Sequence, residues 1–239
     1  MTNINASGSF ERTELIIGKR ALETLRKSCV IIFGLGGVGG HALEALVRSG
    51  VGSIDIVDSD TVDVTNLNRQ LLATSETVGE LKVDVAEHRM KSIMPDISIR
   101  KFPFFYDAET ADEFDFEGYD YVIDAIDSVS SKIELILRCQ DCGTPVISAM
   151  GCGNRMNPSK LYVTDIYRTS MDPLAKVIRR ELRTRGVKKL KVVCSSEQPI
   201  KPKFGIDKKR TPGSTAFVPG AAGLLIASEV VRDLILRTN

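Results

Sequence analysis

A run of glycines occurs where a phosphate-binding turn is expected. Gly34, Gly36, Gly37 and Gly39 follow the apolar segment 29–33 and precede a segment with helical periodicity. Closely spaced glycines allow a tight turn in which backbone amides approach a phosphate group, and the N-terminus of the next helix adds partial positive charge. A lone glycine motif is weak evidence, but strand, turn and helix occur here in the correct order. We therefore predict a nucleotide site rather than an incidental tight turn.

Charged side chains after the second predicted strand distinguish between nucleotides. Asp58 ends that strand, about 20 residues beyond the glycines, where a carboxylate can bind ribose hydroxyls of either NAD or ATP. The residues that follow favour ATP, and they are Asp60, Asn66, Arg69 and Lys82. Arginine can form a bidentate fork to phosphate oxygens, and lysine can act as a point charge on the same phosphates. Either residue alone is more often a solvated surface charge, but together they predict a triphosphate site.

A further carboxylate is predicted to hold a metal ion. Asp127 ends the apolar segment 119–127, which is predicted to be the fourth strand of the sheet. The carboxyl ends of parallel strands line the ligand crevice in folds of this class. A carboxylate there would hold Mg²⁺ that bridges phosphate oxygens.

Strands and helices alternate in the first two thirds of the chain, and this order positions the polar residues. Strands are predicted at 29–33, 53–58, 96–102, 119–127 and 145–150, with helices at 38–49, within 79–95, near 107–115 and at 129–142. The alternation favours an α/β Rossmann-like fold, a mostly parallel sheet with helices on both faces. The C-terminal half is less regular, with strands at 160–167 and 189–195 and helices at 172–186 and 220–236. We expect one domain over 1–239, with a nucleotide-binding core at about 10–150 and a substrate-binding part at about 151–239.

Charge and composition restrict the class of protein. Residues 176–210 contain thirteen Lys and Arg against three Asp and Glu in a chain of net charge +1, so the remainder is acidic. Such a basic segment favours a polyanionic partner, although a solvated helix face with a basic loop explains it equally well. The sequence contains neither a signal peptide nor an apolar run long enough to span a bilayer, so we expect a cytoplasmic protein without membrane contact.

The five cysteines do not indicate a disulfide framework. Cys139 and Cys142 have the spacing of half a zinc site, but packing in a helix is the favoured interpretation, and we expect no zinc. Cys194 is the best candidate for a reactive thiol because basic residues follow it, although burial in a strand is the favoured interpretation. His41 and His88 have no partner visible in the sequence.

The motifs together resemble the ThiF/MoeB superfamily of ubiquitin-activating-type adenylating enzymes. The matching segments are GLGGVG, D-S-D, N-L-N-R-Q, G-E-L-K and D-A-I-D, all within about 10–150. The resemblance implies that the glycine turn binds ATP, Asp58 binds ribose, and Asn66, Arg69 and Lys82 surround the phosphates. It also implies that Asp127 holds magnesium. Arg12 resembles an arginine that reaches into the partner subunit's ATP site, which implies a homodimer.

Within the superfamily the chain is similar to the tRNA threonylcarbamoyladenosine dehydratases. The segments R-S-G-V-G (48–52), D-P-L-A-K-V-I-R (172–179) and V-C-S-S-E (193–197) carry this resemblance. It implies that a carboxylate on a modified adenosine of tRNA is activated by ATP and closed into a ring. The candidate tRNA contacts are Arg179, Arg180, Arg183, Lys188, Lys189, Lys208, Lys209 and Arg210. The segment 151–158 departs from the family pattern, which leaves open a monovalent-cation site there.

Three other interpretations compete with this one. Adenylation of the C-terminus of a ubiquitin-like sulfur carrier is disfavoured by the missing second CxxC pair and by the long basic segment. An NAD-dependent oxidoreductase is disfavoured because its site has no need for the block of Asn66–Gln70 and Lys82. A non-catalytic tRNA-binding or scaffold protein is disfavoured because Arg69, Lys82 and Asp127 are all intact. The need for a sulfur-transfer partner stays open.

Overall fold

The computed structural model describes residues 8–201 and 212–237. The strands in this part of the chain are β1 (Cys29–Phe33), β2 (Ser53–Val57), β3 (Ser98–Phe102), β4 (Tyr121–Asp124), β5 (Val146–Ala149), β6 (Leu161–Asp165) and β7 (Lys191–Ser195). The α-helices are α1 (Glu11–Ile17), α2 (Lys19–Lys27), α3 (Gly39–Ser49), α4 (Lys82–Ile93), α5 (Val129–Cys142), α6 (Pro173–Thr184) and α7 (Phe217–Leu236). None of the helices within the described ranges is long and apolar enough to cross a membrane.

The strands form one sheet in the order β3-β2-β1-β4-β5-β7-β6. All neighbouring pairs are parallel except β6 and β7, which are antiparallel. The order reverses between β1 and β4, and such a reversal opens a crevice at the carboxyl ends of the strands. The predicted Rossmann-like, mostly parallel sheet is confirmed.

Two apolar cores lie on opposite faces of the sheet. Val30 and Ile32 belong to one cluster, whereas Ile31 and Phe33 belong to the other, because successive strand residues point to opposite faces. The first cluster includes residues of α3, α4 and α7, and the second includes residues of α5 and α6. The predicted apolar C-terminal helix therefore packs on the core, chiefly against α3.

A local signal explains where α6 begins. The Asp172 side chain accepts a hydrogen bond from the backbone amide of Ala175 at 3.0 Å, and Pro173 occupies the first turn of α6. A capping carboxylate followed by proline is a typical start for a helix. The helix predicted at 172–186 is therefore confirmed, as is the helix at 129–142.

Three predictions of local structure were wrong. The acidic segment 107–115 forms no α-helix, only a 3₁₀ turn at Ala111–Glu113, because Phe114 packs in the aromatic cluster around Phe33 and holds the chain against the sheet. The fourth strand ends at Asp124, three residues before its predicted end. Helices α1 and α2 precede the first strand, in a region where the sequence analysis placed no element.

Candidate nucleotide-binding site

A cavity of about 440 Å³ opens at the carboxyl ends of β1, β2 and β4. Its lining includes nine of the ten predicted ATP-site residues, and these are Gly34, Gly36, Gly37, Asp58, Asp60, Asn66, Arg69, Lys82 and Asp127. The tenth, Gly39, begins α3 directly behind the turn. The structure thus brings together residues that are separated by up to 93 positions in the sequence.

The glycine turn has no room for side chains. Gly34 has φ of 90°, and a Cβ at this position would lie 2.7 Å from the carbonyl oxygen of Ala125. A Cβ at Gly39 would lie 1.8 Å from the carbonyl oxygen of Gly34. Only glycine therefore allows the turn to lie against the loop after β4, with the start of α3 facing the cavity.

Asp58 and Lys82 form a charged pair at the floor of the cavity. One Asp58 oxygen accepts the backbone amide of Leu35 at 2.6 Å, which fixes the carboxylate beside the glycine turn. The Lys82 ammonium lies 2.7 Å from Asp60 and 3.6 Å from the other Asp58 oxygen, and the lysine side chain is almost fully buried. The two carboxylates therefore compensate the burial of the lysine side chain and fix its position at the cavity.

Arg69 reaches the cavity from the loop between β2 and α4. Its guanidinium donates to the carbonyl of Thr65 at 2.9 Å and to the side-chain oxygen of Asn68 at 3.0 Å. The Asn66 side chain is committed to the backbone, because its oxygen accepts the amide of Asp63 at 3.1 Å in a capping box. The Arg69 guanidinium is therefore anchored to its own loop at the cavity, and Asn66 shapes that loop.

Asp127 is exposed in the loop between β4 and α5, above a buried ion pair. Lys132 and Asp124 are both fully buried, with 2.8 Å between the ammonium and the carboxylate. The Ser148 hydroxyl donates to the same carboxylate, whose other oxygen accepts the amide of Ile126 at 3.1 Å. This network fixes the backbone one residue before Asp127.

Sequence reasoning missed several residues of the cavity. The Gln70 side-chain oxygen is buried and lacks a hydrogen-bond partner among the described residues, which suits an acceptor that awaits a ligand or water. Phe104, Phe105 and Tyr106 form an apolar wall that a nucleotide base could contact. Burial raises the pKa of the Tyr106 phenol, so this group stays neutral. Gln70 is the last residue of the N-L-N-R-Q motif but was given no role there. No sequence motif marks Phe104, Phe105 and Tyr106, because their place in the lining depends on where the segment after β3 folds back.

The ThiF family model matches residues 10–238. The chain belongs to the ThiF family. The resemblance inferred from the glycine turn and the charged loop is confirmed. The match extends beyond the nucleotide-binding core into the less regular C-terminal part of the chain.

Relatives of this ThiF-family chain differ in how much of it they cover. It is 45% identical to the tRNA threonylcarbamoyladenosine dehydratase of Bacillus subtilis (strain 168), over 95% of this chain and 94% of that protein. The crystal structure of E. coli tRNA N6-threonylcarbamoyladenosine dehydratase in complex with ATP matches with a TM-score of 0.89 at 31% identity, covering 96% of this chain and 95% of that one. The sulfur carrier protein adenylyltransferase of Thermus thermophilus is 37% identical over 48% of this chain and 42% of that protein.

Arg12 lies apart from the cavity of its own chain. It is exposed on α1 and is absent from the described lining of the cavity. Helix α1 buries none of its side chains, and Leu15 and Ile16 are 86% and 87% exposed.

The basic residues of the ThiF-family chain lie in different environments. Arg180, Arg183, Lys188 and Lys189 are exposed on α6 and the turn after it. The Arg179 guanidinium instead donates to the Thr169 hydroxyl at 2.6 Å. Arg180 pairs with Glu181, and Arg183 lies over the ring of Tyr167. The remaining candidates, Lys208, Lys209 and Arg210, fall outside the described residues.

The cysteines follow the favoured interpretation. Cys139 is fully buried in the apolar core, so packing accounts for it. Cys194 lies in β7 with 1% exposure, and burial raises the pKa of its thiol. The favoured interpretation of Cys194 as a buried strand cysteine is therefore confirmed.

Proposed function

We propose that the chain is an ATP-dependent tRNA threonylcarbamoyladenosine dehydratase. The observation that carries this proposal is the similarity to such dehydratases over nearly the whole chain, including the C-terminal part that would bind the substrate. The likeness to a sulfur carrier protein adenylyltransferase covers only about half of the chain. The substrate-binding role of 151–239 and the roles of the cavity residues are parts of the same proposal.

The cavity suits ATP on physical grounds. The glycine turn and the start of α3 would bind phosphates, Asp58 would bind ribose hydroxyls, and the aromatic wall would contact the base. The half-buried Arg69 and the buried Lys82 supply positive charge at the cavity, and little water would screen that of Lys82. A bound nucleotide could donate a hydrogen bond to the buried side-chain oxygen of Gln70, which favours its binding in this cavity.

A magnesium ion would enter with the nucleotide. Within the described ranges, no cluster of three or more His, Cys, Asp or Glu side chains could bind a metal ion by itself. Mg²⁺ is commonly held by one or two carboxylates together with substrate phosphates and water. Of the two exposed carboxylates at the cavity, Asp60 pairs with Lys82, so Asp127 is the one that fits this role, and the ion would withdraw charge from the phosphates.

The reaction would proceed in two displacements. A carboxylate oxygen of the threonylcarbamoyl group attacks the α-phosphorus of ATP, and pyrophosphate leaves. A nucleophile within the same group then attacks the acyl carbon, AMP leaves, and one proton is released, so the organic product has lost water. Arg69 and Lys82 would stabilise the charge that develops on the phosphates during the first displacement.

We infer a homodimer in which Arg12 completes the partner's site. The exposed Leu15 and Ile16 on α1 present apolar surface that a second copy of the chain would cover. Arg12 lies on the same helix and would then reach the ATP cavity of the partner subunit, although it does not line the cavity of its own chain.

The exposed basic residues of α6 and its following turn would contact tRNA phosphates. Such contacts position the nucleic acid and carry little sequence information. Replacing Lys188 and Lys189 with alanine should weaken tRNA binding, leave ATP binding intact, and lower the magnitude of the salt slope by about 1.5, at roughly 0.7–0.9 per lost contact. An unchanged slope would place the tRNA contacts elsewhere.

The deciding experiment supplies the protein with ATP, Mg²⁺ and tRNA that carries threonylcarbamoyladenosine. The expected product is a nucleoside lighter by one water, detected by mass spectrometry together with AMP and pyrophosphate. A parallel reaction contains a ubiquitin-like sulfur carrier instead of tRNA. Adenylation of that carrier with no change in the nucleoside would overturn the proposal in favour of the sulfur-carrier alternative.

A further inference from the structure

Three chain segments meet around one buried guanidinium, that of Arg155. Arg155 lies in the loop after β5 and is only 2% exposed. One of its terminal nitrogens donates to the backbone carbonyls of Ser195, at 3.0 Å, and Glu197. The other donates to the carbonyl of Met171 at 3.2 Å and lies 3.3 Å from the Asp172 carboxylate.

This set of oxygens is one that a protein normally offers to a metal cation. Backbone carbonyls and a carboxylate converge on a single positive centre, and oxygen ligands of this kind suit hard cations such as alkali and alkaline-earth ions. Here the positive centre belongs to the chain itself. A monovalent ion in the segment 151–158, left open by the sequence, would compete with Arg155 for the same carbonyls, so the residues present do not fit such a site.

Two residues with left-handed backbone lie at this assembly, and the guanidinium bonds directly to one of them, Met171. Asn154 and Met171 both have φ of 57°, and they are the non-glycine residues with positive φ in the described chain. Such backbone persists only where the surroundings determine it. Met171 presents its carbonyl to Arg155 in this conformation, and Asn154 directly precedes Arg155.

Hydrogen bonds connect this assembly to the proposed phosphate site. The side chain and the amide of Asn154 exchange two hydrogen bonds with Gly213, both at 2.7 Å. The next residue, Ser214, accepts the Asn68 side chain at 3.0 Å, and Asn68 in turn accepts from Arg69. The backbone that Arg155 gathers is therefore continuous with the loop that carries Arg69.

We propose that Arg155 is a positioning residue whose guanidinium takes the place of a bound alkali cation and holds together segments of the part at about 151–239 that is proposed to bind the substrate. The proposal rests on the proposed function for its catalytic consequence. It has two requirements: the wild-type protein needs no particular alkali cation, and loss of the guanidinium impairs use of tRNA more than binding of ATP.

The test uses the full-length protein and the variants Arg155→Ala and Arg155→Lys. Arg168→Ala is the matched control, because Arg168 is an exposed arginine between β6 and α6. Wild-type dehydration should be the same in potassium, sodium or choline chloride. Arg155→Ala should lower kcat/KM for tRNA by about 10²-fold, the scale of a misplacement of about 1 Å, while ATP affinity falls by much less and the control variant stays near wild type.

Chemical rescue separates the positive charge from the shape of the side chain. Guanidinium ion at about 20 mM, far below the molar range that unfolds proteins, should raise both the Tm and the tRNA kcat/KM of Arg155→Ala. Urea, which has a similar planar shape but no charge, should do neither. Arg155→Lys keeps the charge without the fork and should be intermediate, which provides a folded variant if the alanine variant is unstable.

Several results would overturn the cation role. These are wild-type tRNA kinetics in Arg155→Ala, equal effects of guanidinium and urea, a lysine variant no better than alanine, or an alkali-ion requirement of the wild-type protein. If the wild-type protein fails to dehydrate modified tRNA, the proposed function fails instead. A rise in the Tm of Arg155→Ala with guanidinium but not with urea, measured without tRNA, would still uphold the cation role.

Discussion

Replacing the buried Lys132 with methionine should destabilise the protein strongly. Methionine has a similar length but no charge, so Asp124 would keep a fully buried carboxylate without the ammonium that lies 2.8 Å away. The Ser148 hydroxyl and the Ile126 amide would still donate to it, but neither carries charge. Breaking one side of a buried pair typically costs about 3–5 kcal/mol of unfolding free energy.

The expected loss is large enough to measure by two methods. In a domain of this size, each kcal/mol lowers the Tm by about 2–4 °C, so Lys132→Met should unfold roughly 6–20 °C lower. Urea denaturation at pH 7 would give the free energy directly. Lys91→Met is the matched control, because Lys91 pairs with Glu87 on the surface of α4 and its loss should cost less than about 0.5 kcal/mol.

A double variant tests whether the buried charge is the cause. Adding Asp124→Asn to Lys132→Met removes the uncompensated carboxylate and should recover part of the stability, with a coupling energy of about 1 kcal/mol or more. A loss below about 1 kcal/mol in the single variant, or strict additivity in the double variant, would refute the reasoning. The network would then be a geometric feature with little energetic weight.

Three further predictions concern the proposed site and the thiols. Asp127→Asn should lower AMP formation by about 10²-fold or more, whereas the exposed Asp141→Asn should not, as pyrophosphate release would show. Mixed Arg12→Ala and Asp127→Asn proteins should regain part of the activity once subunit exchange is demonstrated, since one heterodimer site contains both intact residues; persistent inactivity would exclude action between subunits. Burial raises the pKa of Cys152 to about 12 and also raises that of Cys194, so iodoacetamide at pH 8 should label both slowly in the folded protein and rapidly after unfolding, by peptide mass spectrometry.

Much of the nucleotide-binding half could be predicted because its signals are local. The glycine turn, the apolar strand before it and the helix at 129–142 each depend on residues within one or two turns of chain. Parallel strands then bring their carboxyl ends to one edge of the sheet, so Asp58 and Asp127 could be assigned to one crevice without coordinates. The segment 107–115 was mispredicted because its acidic residues favour a helix locally, whereas Phe114 gains more by packing against Phe33.

The sequence by itself therefore determined the fold class, the family and most of the polar residues around the proposed nucleotide site. Only the tertiary structure showed that Lys132 and Arg155 are buried, since charged residues of this kind are expected at the surface. Their burial depends on oxygens that are distant along the chain, such as those of Ser148 for Lys132 and Ser195 for Arg155. A buried cation is tolerated only when such partners converge on it, and that convergence is a property of the folded backbone rather than of any local pattern.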